Sequence, residues 1–128
     1  MPVILIAEDD VDIRNLMGMA LKVHKLDVIE AFDGKDALHK TLLHHPDLLV
    51  LDIAMPHMSG FEVCEQIRAH QDLAELPIIF ISAKVDQHEI QKCRAMGVET
   101  LIEKPFDFGY LVSKIHALLQ ESGTGRCL

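Results

Sequence analysis

The fold is decided by residues 48–56, which read LLVLDIAMP. Four consecutive large apolar residues cannot alternate between a core and water, so they predict a strand that is buried on both faces, as in a parallel sheet. Asp52 follows this strand directly, and open α/β sheets bind ligands in the crevice beyond the carboxyl ends of their strands. Asp52 is therefore either a site residue at that edge or an ordinary turn or helix-capping residue.

A second apolar run, VILIA at residues 3–7, also ends in acidic residues, here Glu8, Asp9 and Asp10. From Asp12 onward the apolar residues recur at the spacing of an amphipathic helix, with Asp10 or Asp12 placed to cap it. A cap needs only one carboxylate and does not account for Glu8 and Asp9. Two buried strands therefore end in carboxylates.

The rest of the chain continues to alternate strands with helices. Short links between them imply parallel strands and right-handed crossovers, so the fold class is α/β, a three-layer, doubly wound parallel sheet. Residues 1–121 are expected to form this one domain and residues 122–128 a flexible tail. The further strands are predicted at residues 27–31, 77–81 and 100–102, and the further helices at 34–42 (carrying Ala37, Leu38 and Leu42), 60–67, 86–96 and 107–120.

Composition excludes several classes of protein. The net charge is −8, with 12 scattered basic residues against 20 acidic ones, which argues against direct nucleic-acid binding. No apolar run is long enough to span a bilayer, and the amino terminus does not resemble an export signal, so a cytoplasmic protein without membrane contact is expected. Cys64 and Cys93 are predicted core thiols and Cys127 an exposed one, as suits a reducing compartment.

Polar residues follow four of the predicted strands and should meet at one edge of the sheet: Glu8 and Asp9, Asp52, Ser82, and Lys104. Carboxylates about 5 Å apart repel by roughly 3 kcal/mol per pair at an effective dielectric constant of 20, so a cation is needed there. Mg²⁺ prefers carboxylate, carbonyl and water ligands and accepts phosphate oxygens. A carboxylate beside Mg²⁺, a lysine and a hydroxyl has the parts for phosphoryl transfer, and the chain has no Gly-rich loop that would make ATP the direct donor.

Four motifs, in their order and spacing, resemble the receiver domain of two-component response regulators. They are ILIAEDD at residues 4–10, LDIAMP at 51–56 followed by Ser59-Gly60, ISA at 81–83 and KPF at 104–106. The resemblance covers about residues 3–120. It implies a flavodoxin-like fold with the strand order 2-1-3-4-5, which would place the acidic residues after the first strand opposite Asp52.

The resemblance also implies a metal site and a phosphorylation site. Asp52 would accept a phosphoryl group from the phosphohistidine of a sensor histidine kinase or a histidine phosphotransfer protein. Mg²⁺, with Mn²⁺ as an acceptable substitute, would be bound by Asp9, by Glu8 through water, by Asp52 itself and by the backbone carbonyl of Ala54. Asp10 has no assigned ligand role and is expected to cap the first helix.

Two further residues would read the phosphorylated state. By resemblance, Ser82 would hydrogen-bond the acyl phosphate and Lys104 would pair with it, after a cis Lys104–Pro105 bond. The signal would leave through the face formed by the fourth helix, fifth strand and last helix, toward a downstream protein or a second copy of the chain. Leu101 stands where the family usually has an aromatic switch residue, so the usual coupling of hydroxyl and ring is in question.

Three alternatives to this signalling phospho-acceptor remain open. An aspartate-nucleophile phosphohydrolase would need a second acid two residues after Asp52, where this chain has Ala54. A flavin-binding module of the same fold would place a phosphate against the acidic residues 8–10, which would repel it. A phosphorylation-independent docking or dimerisation module is the third. The expected protein is not an enzyme with turnover, although it would catalyse its own phosphotransfer and slow autodephosphorylation.

Overall fold

The structure is a computed structural model that describes residues 1–98 and 100–127, with side chains described as far as residue 121. Strands and α-helices alternate throughout these residues, as predicted. The elements are β1 (Val3–Ala7), α1 (Val11–Val23), β2 (Asp27–Ala31), α2 (Gly34–His44), β3 (Leu48–Asp52), α3 (Gly60–Arg68), a 3₁₀ turn (Gln71–Leu73), β4 (Ile78–Ser82), α4 (Gln87–Ala95), β5 (Thr100–Glu103) and α5 (Phe108–Cys127).

The strands form one parallel sheet in the order β2-β1-β3-β4-β5. This confirms the predicted doubly wound α/β fold and its strand order. In the register of the sheet, Ala7 lies opposite Leu51, so the next residue of each strand brings Glu8 beside Asp52. On the other side of β3, Asp52 lies opposite Ile81, and Ser82 follows it at the end of β4.

Successive strand residues face opposite layers of helices, which explains why β3 is apolar without alternation. Leu49 and Leu51 pack into the core beneath α3, whereas Leu48 and Val50 pack into the core beneath α1 and α5. All five residues of β3 are buried. A strand with a helix layer on each face has no side that tolerates polar groups, so continuous apolar runs mark the central strands.

The helices begin at short polar residues that satisfy free backbone N–H groups. The Asp10 carboxylate accepts hydrogen bonds from Asp12 N at 3.0 Å and Ile13 N at 3.1 Å, which confirms its predicted role as the cap of α1. Ser59 caps α3 through a capping box, in which Ser59 Oγ accepts a hydrogen bond from Glu62 N and the Glu62 carboxylate accepts one from Ser59 N. Asp86 caps α4 through Glu89 N at 2.9 Å. These caps fix where each helix starts.

Two local features were not predicted. Among the residues of α2, Thr41 takes the buried position one turn after Ala37, and the apolar Leu42 stays about a third exposed. The positions four residues apart define the inner stripe of a helix, and apolarity alone does not distinguish adjacent residues at its margin. The 3₁₀ turn at Gln71–Leu73 was not predicted.

The last helix is longer than predicted, because α5 continues past Gln120 to Cys127. Glycines at 123 and 125 suggested an end, but a helical glycine costs only about 1 kcal/mol relative to alanine and does not stop a helix by itself. The boundary between a domain at 1–121 and a tail at 122–128 stays a prediction, and the side chain of Cys127 lies outside the described residues. No described helix has an apolar stretch that would cross a membrane.

Substitution of Gly34 tests how tightly the loop after β3 packs against the start of α2. A Cβ atom at Gly34 would lie 1.9 Å from the backbone oxygen of Met58, so Gly34→Ala must displace backbone. We expect the substitution to lower the free energy of unfolding by about 2 kcal/mol or more, measured by urea denaturation. Gly109→Ala is the control, since its nearest atom is the movable Asp107 Oδ1 at 3.2 Å. Equal effects at the two glycines would contradict this account.

Candidate functional site

Asp52 lies at the end of β3 with only 3% of its surface exposed. Its Oδ1 accepts a hydrogen bond from Ala54 N at 3.1 Å, and its Oδ2 lies 2.6 Å from Lys104 Nζ. The following loop returns so closely that a Cβ at Gly60 would be 2.6 Å from the Asp52 backbone oxygen. Lys104, which was predicted to pair with a phosphoryl group on Asp52, here contacts the Asp52 carboxylate itself, and the Ala54 peptide adjoins the same carboxylate.

The predicted acidic cluster is also formed. One carboxylate oxygen from each of Glu8, Asp9 and Asp52 lies within 4.8 Å of the others. Glu8 is 1% exposed, and its buried Oε1 lies 2.8 Å from Lys104 Nζ. Three carboxylate oxygens this close together are hard anionic ligands, and such a group fits a small divalent cation such as Mg²⁺.

Lys104 is a positively charged side chain in contact with this cluster. Its Nζ lies 2.8 Å from Glu8 Oε1 as well as 2.6 Å from Asp52 Oδ2. Burial alone would lower the pKa of Lys104, but contact with the Asp52 and Glu8 carboxylates outweighs it and raises the pKa. The lysine therefore stays protonated. Three carboxylates against one ammonium leave two formal negative charges (−3 + 1 = −2) to be balanced.

Asp9 is more exposed than the other two carboxylates of the cluster. Partial loss of water around it, and then contact with Glu8, still raise the pKa of Asp9 above its ordinary value. A raised carboxyl pKa means that the fold favours the protonated form, so the ionised group present at neutral pH costs stability. Asp9 is thus the carboxylate that a bound cation would relieve.

Ser82 lies at the end of β4, but its hydroxyl is engaged away from Asp52. Its Oγ lies 2.6 Å from Glu89 Oε1 and 2.8 Å from the Lys84 backbone oxygen, and it accepts a hydrogen bond from Lys84 N at 3.1 Å. Lys104 N in turn donates to the Ser82 backbone oxygen at 2.8 Å, which joins the loops after β4 and β5. Ser82 therefore lies at the predicted edge of the sheet, but its hydroxyl is hydrogen-bonded to Glu89 of α4.

Leu101, the predicted switch residue, lies on β5 opposite Phe80 and is only partly buried. It borders a cavity of about 230 Å³ between α4 and β5. The other residues around this cavity are Val85, Ile90, Cys93, Arg94 and Val98. Burial raises the pKa of the Cys93 thiol to about 11, so this wall of the cavity is uncharged at neutral pH. Leu101 therefore borders this cavity without filling it.

Several residues around the site were not predicted. Arg14 Nη1 donates to the Glu8 backbone oxygen at 2.8 Å while its Nε bonds Glu30 at 3.2 Å, so it fixes the acidic loop to β2. Glu89 is the second missed residue. Glu89 stands three residues after Asp86, and this spacing predicts a capping box. Nothing in the local sequence predicts its contact with Ser82.

The loop after β3 carries a third unpredicted contact. His57, with φ of 71°, places its Nδ1 2.8 Å from Asp33 Oδ2 at the start of α2. The Asp36 backbone N–H, and then His57, lower the pKa of the buried Asp33, so its carboxylate stays ionised and holds the loop. This contact fixes the far side of the segment that carries Ala54.

Comparison with known proteins places this geometry in a family. The family model described as the response regulator receiver domain matches residues 4–116. The chain therefore belongs to the receiver domains of response regulators, the signalling modules of two-component systems that interact with histidine kinases and are phosphorylated by them. Members of the family generally bind Mg²⁺ through acidic residues, and this chain has the corresponding acidic cluster.

Individual relatives agree. The response regulator ArlR of Staphylococcus aureus is 36% identical over 117 residues, which are 91% of this chain and 52% of that protein, so the chain spans about half the length of the curated relatives it matches. The receiver domain of Francisella response regulator 1452 superposes with a TM-score of 0.88 at 26% identity, covering 95% of this chain and 99% of that one. The chemotaxis protein CheY4 of Vibrio cholerae superposes at 0.87 and 26% identity, covering 91% and 98%.

The charge balance of the cluster predicts a stability effect of metal. For a dissociation constant of about 1 mM, 10 mM Mg²⁺ should add about 1.4 kcal/mol to the free energy of unfolding. Asp9→Asn should raise stability without metal at neutral pH, because it removes an ionised group whose pKa the fold raises, and should reduce the gain from Mg²⁺. Both are measured by thermal denaturation with EDTA or Mg²⁺.

The exposed Asp12 in the first turn of α1 provides the matched control, since Asp12→Asn removes the same charge outside the cluster. It should leave the Mg²⁺ response unchanged. A lower metal-free melting temperature in Asp9→Asn would contradict the repulsion argument.

Proposed function

We propose that this receiver domain accepts a phosphoryl group on Asp52 from the phosphohistidine of a sensor histidine kinase or a histidine phosphotransfer protein, and that the modified domain signals through the face formed by α4, β5 and α5. The observation that carries the proposal is the buried Asp52 carboxylate held 2.6 Å from Lys104 Nζ at the open edge of the sheet. The buried free thiols Cys64 and Cys93 suit a cytoplasmic location.

The metal site would be built from Glu8, Asp9, Asp52 and the Ala54 carbonyl, with Mg²⁺ or Mn²⁺ as the ion. The three carboxylate oxygens lie close together and carry excess negative charge, which supports this assignment. Once bound, the ion would neutralise the phosphoryl oxygens and the carboxylates during transfer. Arg14 would keep the acidic loop in place through the Glu8 carbonyl.

In the transfer step, an oxygen of Asp52 forms a new P–O bond as the P–N bond to the donor imidazole breaks. The bonding electron pair stays on the imidazole nitrogen. Lys104 needs to move little to pair with the arriving phosphoryl oxygens, because it already contacts Asp52 and Glu8. The product is an acyl phosphate, so the domain is a signalling phospho-acceptor rather than an enzyme with external turnover.

A donor protein has an apolar surface to dock on beside this site. A groove of about 370 Å³ adjoins Lys104 and is lined otherwise by Ile13, Pro105, Phe106 and Phe108. The Phe106 and Phe108 rings pack edge to face with their centroids 5.5 Å apart, so the two aromatic side chains of this groove hold each other in place. Contact there would bring a phosphohistidine of the partner toward Asp52.

The output would depend on Ser82, because it joins the site to α4 through Glu89 and to β5 through Lys104 N. A phosphoryl group changes the balance between two conformations only through contacts that differ between them. The Ser82 hydroxyl is such a contact. The partner would be a downstream protein or a second copy of the chain.

Phosphorylation at Asp52 is tested by intact-mass measurement. Incubation with acetyl phosphate and Mg²⁺ should add one phosphoryl group, about 80 Da, and mild base should remove it as expected for an acyl phosphate. Asp52→Asn should abolish the adduct, whereas Asp27→Asn at the opposite end of the sheet should not. Unchanged labelling in Asp52→Asn would refute the assignment. No labelling of the folded wild type would favour the docking-module alternative.

The coupling of the site to the output face is tested with Ser82→Ala. The variant should remain phosphorylatable but lose most of the chemical-shift response of residues 83–91 and 100–106, because the differential contact is gone. Ser113→Ala, an exposed serine of α5, is the control. A response as large in Ser82→Ala as in the wild type would contradict the proposed route.

A further inference from the structure

The Ser82 hydroxyl has one proton and two competing acceptors within reach. The Glu89 carboxylate is at 2.6 Å and the Lys84 backbone oxygen at 2.8 Å. A carboxylate accepts a hydrogen bond more strongly than a neutral carbonyl does, and the shorter distance agrees with that preference. A phosphoryl group on Asp52 would be a third acceptor for the same proton. It would have to displace Glu89 first.

Glu89 occupies the position in α4 at which a glutamate can complete a capping box. Asp86 and Glu89 stand three residues apart at the start of α4, as Ser59 and Glu62 do at the start of α3. In α3, the Glu62 carboxylate accepts the backbone N–H of the capping residue at 3.2 Å. In α4, only the first half of this box is formed, from Glu89 N to Asp86 Oδ1, and the Glu89 carboxylate goes to Ser82.

We propose that Glu89 is a positioning residue that holds the Ser82 hydroxyl away from Asp52 in the unphosphorylated domain, and that a phosphoryl group on Asp52 releases it. The inference rests on the proposed phosphorylation of Asp52 and adds a regulator that the family motifs do not contain. Glu89 then sets the threshold at which the site commits Ser82 to a phosphoryl oxygen.

The released state has a stabilising contact of its own. Once Ser82 turns away, the Glu89 carboxylate is free to return to the Asp86 N–H and complete the capping box, as Glu62 does in α3. Each conformation therefore satisfies the carboxylate with a different donor. Two discrete, separately stabilised arrangements are what a switch requires, and here both involve the first turn of α4.

The experiment measures binding of beryllofluoride, a phosphoryl analogue, in the presence of Mg²⁺. Removal of the competing acceptor in Glu89→Ala should tighten the apparent affinity by about tenfold, since hydrogen bonds to charged groups are worth about that factor or more. Glu89→Gln retains a weaker acceptor and should fall between the wild type and Glu89→Ala. Affinity is followed by titration of the Ser82, Lys84 and Asp86 amide signals.

Glu62→Ala is the matched control, because it removes a glutamate from the same helical position of α3 without touching Ser82. Both alanine variants should lose some thermal stability, but only Glu89→Ala should bind the analogue more tightly. Unchanged or weaker binding by Glu89→Ala and Glu89→Gln would overturn the inference.

The double variant Ser82→Ala/Glu89→Ala separates this mechanism from a general effect on α4. In the Ser82→Ala background, Glu89→Ala should leave the affinity unchanged, because no hydroxyl remains to be released. A persisting tenfold gain would refute the proposed route through Ser82. Failure of the folded wild type to bind beryllofluoride would instead overturn the proposed function itself, together with this inference.

Discussion

The paired contacts of Lys104 with Asp52 and Glu8 are the constraint on which the site depends. The parallel register of β1 and β3 brings two buried carboxylates side by side, where water screens their repulsion poorly. Lys104 lies between them at 2.6 and 2.8 Å and offsets part of that repulsion. With Asp9 the cluster still carries excess negative charge. A bound cation would balance this remaining charge, which is the basis of the proposed metal site.

Most of the fold was predictable because its strands are central. Residues of β3 face a helical layer on either side, so the physics requires an uninterrupted apolar run, and that run is visible in the sequence. Helix starts were visible in the capping residues, as Asp10 shows. The margins of the helices were less predictable, since in α2 the polar Thr41 is buried and the apolar Leu42 is partly exposed. Neighbouring positions at the edge of a helical stripe differ by details of packing that periodicity does not encode.

The candidate site was predictable in its membership and not in its contacts. The residue types that follow the strands predicted that the acidic residues, Ser82 and Lys104 would meet. The structure places them at one edge of the sheet. The partners of each side chain depend on distances between elements remote in sequence. Arg14 bonds the Glu8 carbonyl because α1 crosses above β1 and β2, which no local pattern states. Their chemical roles stay predictions from the resemblance and the charge balance.

The unusual Leu101 and the Ser82–Glu89 contact belong to one argument. The resemblance implies an aromatic switch residue at position 101, whereas the leucine of this chain borders a cavity of about 230 Å³ between α4 and β5. A dispersive contact that is missing cannot carry a signal. A hydrogen bond of 2.6 Å from Ser82 to Glu89 already spans the same two elements, β4 and α4. Because Glu89 belongs to the first turn of α4, a change at the Ser82 hydroxyl reaches that helix through one side chain. In the proposed switch, this polar link takes the place that the packing of a ring would otherwise have.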